Sequence, residues 1–213
     1  MNVRIKHPFI TLFLLLSGLF CSFAIRAQTA SFDHTISEHR SEYKAHFLND
    51  ARSPLSAADT AYLDFFAPDE NWRLKTVFER TPQEKPFEMR TYSGQKREYV
   101  KFGQVQFFVR GQKQTLNVYQ NLRLLQDSTY RDYLFLPFKD VSNGEETYGG
   151  GRYLDFKQAD IQADNTLVLD FNRCYNPWCA FSDGYNCPIP PMENHLEILI
   201  PAGEKNFRKE KKH

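Results

Sequence analysis

The sequence predicts a mainly β domain, an antiparallel sandwich or barrel-like body with an N-terminal helical arm. Three observations lead there. From Trp72 onward apolar and polar side chains alternate with a period of two, as on a strand with one dry face and one wet face. Nine short stretches of this kind recur at roughly 8–12 residue spacing, the rhythm of an all-β domain. Upstream of them the apolar period is that of a helix. The chain has 213 residues, 41% of them hydrophobic, with 19 Phe, 11 Tyr and 2 Trp. That is enough apolar material for a single core, and the composition excludes a disordered, collagen-like or coiled-coil chain.

Taken in order, residues 1–27 read as a signal peptide. Arg4 and Lys6 precede an apolar run from Phe9 to Ala24, and Ala27 offers a small residue before Gln28. The run falls short of the ~20 residues a spanning helix needs, so no stable membrane span is expected after cleavage. Cys21 raises a lipoprotein alternative, but the preceding Phe20 is bulky where lipid attachment wants a small residue. The expectation is therefore an exported protein, periplasmic or secreted. Residues 28–60 form the helical arm. Ile36, Tyr43 and Phe47 share one stripe of a helix over Asp33–Asn49, with Glu38, Arg40, Glu42 and Lys44 elsewhere. Ser53-Pro54 interrupts it, and Ser56 with Asp59 resembles the start of a second, short helix.

Residues 61–213 form the β domain. Strands are expected at Trp72–Glu79, Phe87–Thr91, Glu98–Phe102, Gln104–Arg110, Thr115–Gln120, Tyr133–Phe138, Arg152–Phe156, Thr166–Phe171 and Leu196–Ile200. Gly94, Gly103, Gly111 and Asn143-Gly144 punctuate them as turns. The basic end, Lys205–His213, reads as a solvated tail.

Charge and missing motifs narrow the function. The formal net charge is +1, and cleavage after Ala27 removes three bases and no acids, leaving 24 basic against 26 acidic side chains. No basic excess remains to displace phosphate counterions, so no nucleic-acid partner is expected. The sequence has no His-Glu-x-x-His, no Gly-x-Ser-x-Gly and no dinucleotide-binding glycine fingerprint. Common metalloproteases, hydrolases and nucleotide enzymes are disfavoured, no cofactor is expected, and an unusual enzyme stays open.

The chemistry-bearing residues gather between 138 and 204. Gly149, Gly150 and Gly151 precede Arg152, so backbone N–H groups can converge on an anion with a guanidinium as clamp. The alternative is a tight loop in which Arg152 pairs with Asp140 or Asp170. Asp170, Asn172, Tyr175, Asn176, Glu193 and Asn194 form a dense polar set beside strands. With Tyr148 and Arg152 they are the candidate ligand-binding residues, either lining a pocket for a small anionic or polar ligand or stapling loops together. Tyr148, Tyr153 and Trp178 would supply aromatic walls. The leading reading is a small-ligand binding or accessory module. A second is an enzyme of hydrolase or isomerase type using Asp170 or Glu193 as acid or base, with Arg152 holding an anionic group. A third gives the motifs a purely structural role.

The cysteines divide in the same way. In an oxidising compartment Cys179 and Cys187 would close a short loop as a disulfide, leaving Cys174 as a buried thiol. Zinc held by Cys179, Cys187 and His195, with Cys174 as a fourth ligand, is an alternative, but the short Cys-x-x-Cys knuckle of structural zinc sites is missing and no metal is assigned. A nucleophilic Cys174 assisted by His195 has no local support beyond composition.

The same stretch resembles an uncharacterised bacterial family, a domain of unknown function. The resemblance is carried by Thr147-Tyr148-Gly149-Gly150-Gly151-Arg152-Tyr153, Asp170-Phe171-Asn172 and Tyr175-Asn176-Pro177-Trp178-Cys179-Ala180. It continues through Cys187-Pro188-Ile189-Pro190-Pro191, Glu193-Asn194-His195-Leu196 and Ala202-Gly203-Glu204. It covers the last third of the chain tightly and Phe65–Phe138 loosely, with Ser53-Pro54-Leu55 similar to the family's entry segment. What it implies is a fold and a shared site rather than an activity. Cys174 departs from the pattern, standing where the resemblance leads one to expect Ala.

Overall fold

The computed structural model describes residues 31–212. The expected signal peptide, its cleavage site and Cys21 lie outside the described residues. A helix, α1, occupies residues 31–49 and buries Phe32, Ile36 and Phe47. Phe47 packs edge-on against Phe181 and tilts against Trp178, while Tyr43 meets Phe65 and Tyr175. The stripe read from the sequence is thus the face that docks. A single 3-10 turn follows at Asp59–Tyr62, where the Ser56 backbone N–H and hydroxyl both donate to Asp59 Oδ2, at 3.0 and 2.8 Å.

Seven strands make one sheet: β1 (Arg73–Arg80), β2 (Phe87–Arg90), β3 (Lys96–Val109), β4 (Gln112–Asn121), β5 (Tyr133–Phe138), β6 (Arg152–Lys157) and β7 (Thr166–Asp170). The order is β6-β5-β4-β3-β1-β7, with β2 also on β3, and every pairing is antiparallel. The result is a mainly antiparallel half-barrel. Its two end strands, β6 and β7, do not pair with each other, so the barrel stays open along one seam. The inner face carries the main core, including Phe78, Val105, Phe107, Leu116, Leu134, Leu136, Leu154, Leu167 and Phe171.

Two of the nine expected strands are halves of one. Glu98–Phe102 and Gln104–Arg110 fuse into β3, whose register against β4 shifts between Lys101 and Gly103. One extra residue reverses which parity faces the core: Tyr99 points to the outer face, while Val105 and Phe107 point inward. Gly103 marks the spot because a Cβ there would lie 2.3 Å from the Phe78 ring and 2.6 Å from the Glu79 carbonyl oxygen. Gly111 does act as a turn. Arg110 (φ 50°) and Gly111 (φ 78°) form the two-residue link between Val109 and Gln112 that tight hairpins favour.

Leu196–Ile200 is not a strand. It runs beside residues 139–141, with Leu196 N–H donating to the Lys139 carbonyl and Val141 N–H to that of Ile198. The Ile200 N–H donates to Asp140 Oδ2 instead of a neighbouring backbone, and Pro201 has no N–H to continue a ladder. The basic end is not a solvated tail either. Lys209 and Lys212 pair with the buried Asp59 at 2.7 and 2.6 Å and hold its carboxyl well below the usual carboxylate range. Phe207 packs edge-on against Phe181 and Tyr62. Paired charges and a half-buried ring dock the segment, which a reading of net charge alone could not foresee.

Candidate functional site

The motif residues fall into two groups, a framework and a cleft. Arg152 belongs to the framework. Its side chain is 0% exposed, and Nη2 meets Asp140 Oδ2 at 2.7 Å and the Ile200 carbonyl at 3.0 Å. Nη1 donates to the carbonyls of Ala202 and Glu204. Asp140 is saturated in turn, with Oδ1 accepting from the Ser142 N–H and hydroxyl. A buried charge is tolerated where a partner and hydrogen bonds offset its desolvation; here both terminal nitrogens are bonded and Nε has no partner. The geometry is the pairing with Asp140, not a clamp facing solvent. The glycines ahead of it serve close packing: a Cβ on Gly150 would strike the Tyr148 ring, and one on Gly151 (φ 93°) would lie 2.6 Å from the Phe138 carbonyl.

Asn194 is the most exacting of the framework residues. Its Oδ1 accepts from the Asn117 N–H at 2.8 Å, and its Nδ2 donates to the carbonyls of Asn117 and Pro137 at 2.9 and 2.7 Å. Asn117 lies on β4 and Pro137 on β5, two strands with a single registered residue pair, Tyr119 with Phe135. Pro137 has no N–H to offer β4, and the Asn194 carboxamide fills the gap as a stand-in peptide group. Asn172 plays a similar part on Asp69, accepting from its N–H and donating to its carbonyl, with a further bond to Asp170 Oδ1. Asn176 donates its N–H to Glu204 Oε2 at 2.7 Å and its Nδ2 to the Lys205 carbonyl.

Glu204 closes this framework and joins it to α1. Its carboxyl is 0% exposed, and Oε2 also accepts from the Tyr43 hydroxyl at 2.9 Å, while Oε1 has no partner. Burial pushes its pKa up to about 8, against the opposing hydrogen bonds from Asn176 and Tyr43. Cys179 and Cys187 form a disulfide with Cα atoms 6.2 Å apart, and Cys174 is a buried free thiol pushed up to about 11 by burial. Among the described residues no group of three or more His, Cys, Asp or Glu is placed to hold a metal ion.

Of the remaining candidates, Glu193 lines one cleft, Asp170 and Tyr175 line another, and Tyr148 lines neither. Glu193 accepts from the Tyr119 hydroxyl at 3.0 Å and lines a shallow groove with Lys85, Lys101 and Asn117. Tyr148 is half-buried beside Tyr92. Asp170 and Tyr175 line the larger cleft, a cavity of about 720 Å³ between α1 and the two end strands β6 and β7. Asp170 and Glu193 therefore do not converge on one site. The larger cleft also collects His39, Glu42, Tyr43 and His46 from α1, Arg73, Asp155, Asp160, Arg173 and Trp178.

The floor of that cleft is Asp155. It sits in the middle of β6 and is open to solvent, yet it is surrounded by protein on its other sides. The Tyr133 hydroxyl donates to Oδ1 and the Tyr175 hydroxyl to Oδ2, both at 2.7 Å. Burial raises the Asp155 pKa, with both phenols pulling the other way. At the opposite wall Arg73 and Arg173 approach Asp170 Oδ2 at 3.9 and 3.7 Å. His39 has its pKa lowered, first by burial and next by Arg173. Sequence reasoning missed Asp155. Its signal was an acid inside the otherwise apolar run Tyr153-Leu154-Asp155-Phe156, a residue that a strand does not need.

An antiparallel half-barrel with a ligand-sized cleft along its open seam is the class of protein these features define. The chain belongs to the family described as Protein of unknown function (DUF1684), whose model matches residues 59–205. It is similar to the solution NMR structure of an uncharacterized protein from Haloarcula marismortui, at 26% identity and a TM-score of 0.64, covering 84% of this chain and 96% of that one. A search of the curated proteins returned no match. The α1 wall of the cleft lies outside the matched family span, whereas Asp155, Asp170 and Tyr175 lie inside it.

Proposed function

We propose that this protein is an exported binding module for a small polar ligand, and that its site is the cleft between α1, β6 and β7. The observation that carries the reading is Asp155, a solvent-open carboxylate held in one orientation by two phenols at the floor of a recess. A cavity of about 720 Å³ is of the size that encloses small ligands, and a few convergent polar groups among aromatic walls are what such sites use. Arg152, Asn172, Asn176 and Asn194 then keep the half-barrel and its loops in shape, while Asp170 and Tyr175 contact the ligand. Export rests on the charged start and apolar run of residues 1–27, and a disulfide is compatible with an oxidising compartment. No described helix is long and apolar enough to cross a membrane.

Native mass spectrometry of protein purified gently from the exporting cell, beside a denatured spectrum, tests both halves. The expected result is cleavage after Ala27, a mass 2 Da below that of the reduced chain, and a retained small molecule. Val168 is exposed and lines the cleft, so Val168→Trp obstructs the site without disturbing the core and is expected to abolish retention. A retained molecule that survives Val168→Trp, or protein with no retained mass and no affinity for small polar probes, would refute the reading.

A further inference from the structure

If the cleft is a ligand site, its charge distribution selects the ligand. Among the described residues the polar partners of Asp155 are the two phenols, and no Lys, Arg or His side chain pairs with it. A phenol orients a carboxylate but is neutral, so the charge has no cationic partner on the solvent-open side that faces the cleft. Each oxygen has given one acceptor direction to a tyrosine and retains another for the cleft. The lining holds four carboxylates, Glu42, Asp155, Asp160 and Asp170, against two guanidiniums, Arg73 and Arg173. Both guanidiniums converge on Asp170, which leaves the negative excess on Glu42, Asp155 and Asp160, and of these Asp155 is the one held between two phenols.

The walls beside Asp155 are aromatic. The Tyr175 ring lies 5.9 Å from that of Tyr43, and Trp178 lines the same cleft. Electron-rich ring faces attract cations, most strongly when water is excluded. A bare metal ion gains little there, because it needs several oxygen or nitrogen ligands, and among the described residues no three His, Cys, Asp or Glu side chains are grouped to supply them. We propose that the cleft takes a small organic cation, an alkylammonium compound, with its charged head at Asp155 and its apolar part against Tyr43, Tyr175 and Trp178. The inference rests on the cleft being a ligand site and adds the ligand's chemistry.

The test is isothermal titration calorimetry on the mature chain with four probes: choline chloride, butylammonium chloride, the uncharged choline isostere 3,3-dimethyl-1-butanol, and sodium acetate. At least one cation is expected to bind saturably, one per chain, and its uncharged or anionic counterpart at least about tenfold more weakly. Asp155→Asn keeps an oxygen for a phenol to donate to and removes the charge, and should weaken cation binding by about tenfold or more, with folding checked by circular dichroism. Val168→Trp should block it as well and serves if Asp155→Asn does not fold. Acetate binding without cation binding, blocked by Val168→Trp, overturns the cation assignment and leaves the cleft a ligand site. Failure of both cations to bind also overturns the assignment. Cation binding that survives both substitutions places the ligand outside the cleft and overturns both readings.

Discussion

Removing the Asn194 carboxamide should unlock the sheet where β4 and β5 separate. Asn194→Ala deletes three buried hydrogen bonds, to the N–H and carbonyl of Asn117 and to the carbonyl of Pro137. At about 1 kcal/mol net per bond the loss is about 3 kcal/mol, and any of the three backbone groups left dry adds about 1–3 kcal/mol more. We expect a total of about 3–5 kcal/mol, a large part of the 5–15 kcal/mol that typically separates folded from unfolded states. Asn194→Leu fills a similar volume without the polar atoms and should cost about as much. Asn194→Asp keeps an acceptor for the Asn117 N–H but turns a carboxylate oxygen toward two carbonyls, so it should be the worst of the three near neutral pH. Urea unfolding followed by circular dichroism reads the loss as a lower midpoint at an unchanged m-value. A loss below about 1 kcal/mol for Asn194→Ala, together with a tolerated Asn194→Asp, would show that the carboxamide does not bridge the strands.

Two further outcomes follow from the framework. Burial raises the Glu204 pKa from the ordinary 4.5 to about 8, so the folded state holds a proton that the unfolded chain gives up. Its contribution to stability is complete below pH 4.5 and is lost as pH rises toward 8, with a slope on the order of 1 kcal/mol per pH unit between them. Urea midpoints measured from pH 4 to pH 9 should show that decline, and Glu204→Gln should flatten it; a Gln variant with the same slope would remove Glu204 as its source. Reducing the Cys179–Cys187 disulfide, or replacing both residues by Ser, should cost about 2–3 kcal/mol by chain entropy alone for so short a loop. Thermal melts with and without reductant measure it, and identical melts would contradict the estimate.

Much of the fold was legible because it depends on local periodicity. The helical stripe of Ile36, Tyr43 and Phe47 and the alternation through Thr76 and Phe78 each report which face is dry, and the structure buries Ile36, Phe47, Thr76 and Phe78. The division of β3 into two apparent strands was the natural misreading of a bulge, since an extra residue shifts the parity of the pattern as a turn would. The polar motif residues were visible as a set but not as roles. Arg152 and Asp170 look equally suited to a ligand in the sequence, whereas one is sealed against Asp140 and the other lines a cleft.

By itself the sequence determined most of the half-barrel's strands, the docking face of α1 and the pairing of Cys179 with Cys187 as one of a few options. These follow from burial periodicity, turn chemistry and the proximity of two cysteines along the chain. Only the tertiary structure decided which residues share a cleft. The sheet ends on β6 and β7 without closing, and that seam brings residues from α1, β1, β6, β7 and the loop after β7 to one cleft. Charge pairing was decided there as well. A side chain's partner depends on which distant carbonyls and carboxylates the fold delivers to it, so Arg152 found Asp140 while Asp155 was left facing the cleft with two phenols and no cation.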